Sequence, residues 1–99
     1  MRLVLTAEAE ADLESIGDRI ARDSPVRAVS FLQELRESCE TLVDGPLRFA
    51  LIPRHEAAGI HRRVHGNYLI FYRVRNETVE VLHILHGARD YEAILFPEA

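Results

Sequence analysis

GIHRRVHGNYLIFYRVRNETVEVLHILHGARD, running from Gly59 to Asp90, is the stretch that decides the fold. Ile60 to Val64 alternates apolar and polar residues, and Gly66-Asn67 marks a turn. Tyr68-Leu69-Ile70-Phe71-Tyr72-Arg73-Val74 is rich in β-branched and aromatic residues, whose side chains suit a pleated surface. Arg75-Asn76-Glu77 makes a second turn, and Thr78 to Leu85 completes a third strand. Strict alternation puts Val79, Val81 and Leu85 on one face of that strand and Leu82 and Ile84 on the other. Apolar residues on both faces predict a central strand covered on both sides.

Working outward toward residue 1, the texture changes from period two to period 3.6. Ala28, Phe31, Leu32, Leu35, Cys39 and Leu42 share one helical face, opened by Ser24-Pro25 and closed by Gly45-Pro46. Before it, Ala9, Leu13, Ile16 and Ile20 form a second stripe. Thr6 sits at its N-cap, and Glu8 and Glu10 lie in the first turn, where the helix dipole favours acids. Glu10, Asp12, Glu14 and Asp18 read as the solvated face of that helix, and Gly17 as a point where a second helix can approach closely. One tight turn between the two helices implies an antiparallel hairpin. Leu3-Val4-Leu5 is a first short strand, residues 46–58 with two prolines are a loop, and Ala88–Phe96 holds one short helix. The order β-α-α-β-β-β plus a tail predicts a two-layer α+β domain, with the helical hairpin packed on a mainly antiparallel sheet. At 99 residues the chain is a single domain, 1–99.

Composition narrows the chemistry. The formal charge is −4, which argues against gripping naked nucleic acid, since phosphate binding runs on surplus positive charge. All 12 basic residues are Arg, so any mechanism needing a Lys acid, base or nucleophile is excluded. The charge is also divided. Residues 1–45 carry ten acids and five Arg, whereas residues 46–99 carry six acids, seven Arg and all five His. Cys39 is single and falls on the apolar stripe, so it reads as a core thiol in a reducing compartment. The acids that follow Leu5 do not suit a signal peptide, and no apolar run approaches a membrane span. The expectation is a soluble cytoplasmic protein without membrane contact.

The His and Arg residues of the second half are the candidates for function. His61 and His65 share a strand face, and His83 and His86 fall on opposite faces. No CxxC or HExxH spacing is present, so no metal and no cofactor are expected. If Ile60 and Val64 point inward, so does Arg62, which would then need a partner such as Asp90 or Glu80. Arg63 and Arg75 read as solvated. Arg62 and Arg89 suit either a buried ion pair or an anion or partner contact. A hydrolytic site would draw its acid and base from His61, His83, His86 and Tyr91, and its cationic clamps from Arg62, Arg73 and Arg89.

The strand residues quoted above resemble the ParE branch of the RelE/ParE toxin superfamily. The resemblance extends to Ala9-x-x-Asp12-Leu13-x-x-Ile16 and Ser24-Pro25-x-x-Ala28, and runs from about residue 3 to 95. Its most specific part is the closing His86-Gly87-Ala88-Arg89-Asp90 after an apolar strand. His61 stands where the branch commonly has an Arg, with Arg62 following. The resemblance implies a bacterial type II toxin of the kind used in plasmid stabilisation, neutralised by a cognate antitoxin of ribbon-helix-helix type. ParE-like toxins poison DNA gyrase and have no known catalytic site. RelE-like relatives instead cleave mRNA on the ribosome, which would here use Arg62, Arg73, His83, His86, Arg89 and Tyr91. A third alternative is a degenerate member that only binds its antitoxin. The residues expected to bind partners are Arg62, Tyr72, Arg73, His86, Arg89 and Asp90, with antitoxin contacts shared between the hairpin and the sheet.

Overall fold

A computed structural model describes residues 1–98. Strand β1 (Arg2–Leu5) leads into helix α1 (Ala7–Ala21) and helix α2 (Pro25–Glu40), which tightens into a 3₁₀ turn over Thr41–Asp44. A loop with one further 3₁₀ turn at Glu56–Ala58 precedes strands β2 (His61–His65), β3 (Tyr68–Arg75) and β4 (Thr78–His86). Helix α3 (Tyr91–Leu95) follows. The helices begin where capping chemistry places them. The Thr6 and Ser24 hydroxyls accept the N–H groups of Ala9 and Arg27, both at 3.1 Å. A Cβ on Gly17 would come within 2.8 Å of the Leu32 Cδ1, so the glycine does let α2 lie close against α1.

The sheet order is β1-β4-β3-β2, with β1 parallel to β4 and the other pairs antiparallel. The β3–β4 connection is a two-residue turn in which Asn76 and Glu77 both take positive φ, the geometry that matches strand twist. The helical hairpin covers one sheet face, where Leu13, Leu35, Cys39, Ile70, Tyr72, Val79 and Val81 are buried with Ile84. On the outer face Ile52, Ile60, Phe71 and Leu85 form a second, smaller cluster capped by Tyr91, Ile94, Leu95 and Phe96. β4 is therefore central and covered on both sides.

One detail departs from strict alternation. The β3–β4 register slips between Phe71 and Tyr72, so Tyr72 opposes Val81 while Phe71 opposes His83. This bulge makes Leu82 the extra residue and exchanges the faces of the residues after it. Ile84 joins Val79 and Val81 under the helices, and Leu85 joins Leu82 on the outer face. Among the described residues no helix is long and apolar enough to cross a membrane.

Candidate functional site

The bulge leaves backbone groups of β4 beyond the end of β1, and the first helix supplies their partners. Thr6 Oγ1 donates to the Leu82 carbonyl at 3.0 Å. The Asp12 carboxylate accepts the Ile84 N–H at 2.9 Å, and the same oxygen lies 2.8 Å from His83 Nδ1. His83 is thus tied to α1 and held at a structural joint. Asp12 is a residue that reading by faces missed, because it was grouped with the solvated acids. Its signal lay in the spacing: three residues after buried Ala9 and one before buried Leu13, it sits at the border of the apolar stripe.

Arg62 lies on the outer face opposite Phe71, and its Nη1 donates to the Tyr91 hydroxyl at 2.9 Å. Neither carboxylate expected as its partner is free for that role. Asp90 caps α3 by accepting the Ala93 N–H at 3.3 Å. Glu80 stands directly across from Arg73 and binds its Nε at 2.6 Å, with Arg75 at 4.0 Å. Arg75 is the more exposed of these two arginines, as expected. The expected facing of β2 also needs correction. Ile60 and Arg62 belong to the outer face, and Val64, 66% exposed, is not buried on either.

The helix side of β2 carries His61, Arg63 and His65. Arg63 is not simply solvated: its Nη1 donates to the Ser38 carbonyl at 2.7 Å and to Thr41 Oγ1 at 2.6 Å. Arg48 donates to the carbonyls of Thr41 and Gly45, and the two guanidinium groups lie on Phe49, each about 5 Å from its ring centre. Helix α2 has no basic residue in its own last turn, so these arginines supply positive charge at its C-terminal end. His61 shares a face with His65 as the spacing predicts, and each makes a local bond. Nδ1 of His61 meets the Phe49 carbonyl, and Nδ1 of His65 meets Ser38 Oγ, both at 2.7 Å. Among the described residues no three His, Cys, Asp or Glu side chains converge on a metal position.

Tyr72, expected at a binding surface, is fully buried, and its hydroxyl donates to the Pro46 carbonyl at 2.5 Å. Burial pushes that hydroxyl above the ordinary tyrosine range. Cys39 is a core thiol, pushed up to about 11 by loss of solvation. His86 and Arg89 do come together. They line a small notch between α1 and β4, alongside Arg19 and Tyr68. The candidate residues are therefore divided among the bulge, the outer face, the core, the α3 cap and this notch.

On the exposed side of the hairpin, Ala7, Ala11, Val29 and Leu32 line adjoining grooves along α1 and α2. Val29 is 70% exposed. The Glu10–Arg36 ion pair, at 3.0 Å, bridges the two helices there and holds the Glu10 carboxyl below the usual carboxylate range.

No curated protein sequence matches the chain. Among solved structures, it is similar to a protein of the chromosomal ParDE toxin–antitoxin system from P. aeruginosa, at 24% identity and a TM-score of 0.75. That match covers 87% of this chain and 95% of the other. It is also similar to a chain of the toxin–antitoxin complex RelBE2 from Mycobacterium tuberculosis, at 28% identity and a TM-score of 0.63, covering 86% of this chain and 95% of the other. The family model described as the ParE toxin of the type II toxin–antitoxin system parDE matches residues 3–91. With nearly all of its sheet and both helices of the hairpin inside that match, the chain belongs to the ParE toxin family.

Proposed function

We propose that this protein arrests growth as the toxin of a type II toxin–antitoxin module, that an antitoxin neutralises it, and that it acts by poisoning DNA gyrase. The family match supports the toxin role, and the likeness to chains of two toxin–antitoxin systems supports an antitoxin partner. One geometric observation favours gyrase over RNA cleavage. General acid–base cleavage needs a base, an acid and a clamp converging within hydrogen-bond reach of one phosphate. Here His83 is already engaged by Asp12 and Arg73 by Glu80, and His86 and Arg89 line the notch against α1 while Arg62 and Tyr91 meet on the outer face.

Expression without the antitoxin is expected to stop growth with DNA damage, and the purified protein to inhibit supercoiling by gyrase. Cleaved mRNA with undamaged DNA would overturn this reading. Harmless expression of a folded, antitoxin-binding product would leave the binding role alone.

The second reading, a ribosome-dependent endoribonuclease, is favoured by the Arg62–Tyr91 contact and by the RelBE2 likeness. It requires that Arg62→Ala or Tyr91→Phe abolish mRNA cleavage while antitoxin binding survives.

The antitoxin's contacts fall on the apolar grooves of the hairpin and on the arginines of the outer sheet face. Both are partly exposed surfaces, and Arg side chains beside apolar ground dominate binding energy at interfaces. Arg62→Glu with Arg73→Glu is expected to weaken the complex at least tenfold. Unchanged affinity would remove the sheet from the interface.

A further inference from the structure

The notch between α1 and β4 brings together four polar groups with no assigned work. Arg19 comes from the last turn of α1 and Arg89 from the segment after β4. Neither guanidinium makes an ion pair or a side-chain hydrogen bond among the described residues, yet both line the same cavity. Tyr68 lines it too. That residue is 8% exposed, and its hydroxyl has no hydrogen-bond partner among the described residues. The ring is packed away but the hydroxyl itself reaches solvent, since no buried side-chain oxygen or nitrogen among the described residues lacks a partner, so it is available to a ligand. His86 packs edge-on against Tyr68, with ring centres 5.2 Å apart. Its Nδ1 accepts the Ala88 N–H at 3.0 Å, which places the ring proton on Nε2 and leaves that nitrogen a donor.

The notch also contains Asp12, whose charge is already engaged by the Ile84 N–H and His83. Two free guanidinium groups outweigh it, so the site favours an anion. The room is that of a small group. The cavity offers about 30 Å³, and one water-sized sphere needs roughly 10–15 Å³. A carboxylate fits that room. A flat arginine fork also matches a carboxylate in two parallel hydrogen bonds.

We propose that the notch is a socket for one carboxylate side chain of the antitoxin, gripped by Arg19 and Arg89 and oriented by Tyr68 and His86. The carboxylate preference stands on the notch itself, while the identity of the occupant rests on the antitoxin reading above. The test therefore has two arms.

In the first, the purified protein is titrated with acetate, or with phosphate at matched ionic strength, while the Tyr68 and His86 ring resonances are followed by NMR. Acetate is expected to shift both rings saturably and phosphate to shift them less. The response should disappear in an Arg19→Gln, Arg89→Gln double variant and persist in Arg22→Gln, one helical turn beyond Arg19 and outside the notch. The absence of a saturable shift, an equal response in the double variant, or a stronger response to phosphate would each overturn the socket.

In the second arm, antitoxin affinity is expected to fall 10- to 100-fold in Arg89→Gln and to hold in Arg22→Gln. An unchanged affinity in Arg89→Gln would overturn the assignment of the occupant. If no antitoxin binds the unmodified protein, it is the antitoxin reading that fails, and the acetate arm still judges the notch.

Discussion

The two faces of the sheet are closed by different means. Under the hairpin, two capped helices of 15 and 16 residues press a continuous cluster from Ala9 to Ile84 against β3 and β4. On the outer face, four buried residues are roofed by a five-residue helix and by the loop that carries Ile52. A helix that short does not hold itself together, because nucleation costs more than one turn returns. The α3 roof persists through its side chains: Tyr91 on Phe71, His55 stacked on Phe96 at 4.2 Å, and His55 bound to Glu92 at 2.7 Å. The contrast teaches that stability resides on the helix side, while the outer side remains open to adjustment.

Substitutions give that contrast a scale. Leu35 is fully buried beneath the hairpin, and Leu35→Ala is expected to cost about 4 kcal/mol in denaturant unfolding, through lost transfer energy and the cavity left behind. A loss below about 1 kcal/mol would mean that the helical layer is loosely packed. Asp12→Ala strips the Ile84 N–H of its partner, with an expected cost of about 2–3 kcal/mol. Asp12→Asn, which can still accept that bond, should recover part of the loss.

The Cys39 thiol ionises near 9 when solvated and at about 11 in the fold. Its contribution is fully present below pH 9 and lost as pH rises toward 11, because only the unfolded chain releases the proton in that window. The fall should be on the order of 2 kcal/mol and should flatten in Cys39→Ala. On the outer side, Ile94→Ala removes a partly buried contact from the α3 roof and is expected to cost only about 1 kcal/mol. A loss as large as that for Leu35 would erase the distinction between the faces.

The helices and strands were legible because local chemistry specifies them: Thr6 and Ser24-Pro25 cap, Gly17 admits Leu32, and Asn76-Glu77 turns the chain. What escaped were relations between segments far apart in sequence. No local pattern announces that Leu82 is the bulged residue, since its alternation is broken by the register of β3 and not by its own neighbours. Arg63 and Arg48 serve a helix that ends before either begins, so α2 by itself gives no hint of its caps. Tyr72 looked available for binding until the Pro46 carbonyl closed over its hydroxyl. His86 and Arg89 were legible as neighbours in the chain, but Arg19 and Tyr68 reach them only through packing.

The parallel pairing of β1 with β4 also fixes an order of assembly. Arg2 finds its partner at Thr78, Thr6 reaches Leu82 and Asp12 reaches Ile84. Closing a loop of that length carries an entropy cost of about 4 kcal/mol beyond the constant term. During synthesis the hairpin has its whole sequence early, but β1 and the Asp12 joint wait for residues 78–84. Any nascent fragment shorter than that lacks the joint between its first helix and its central strand. Completion of the fold is thus a single late event, and an interrupted chain yields an unfinished product rather than a smaller working one.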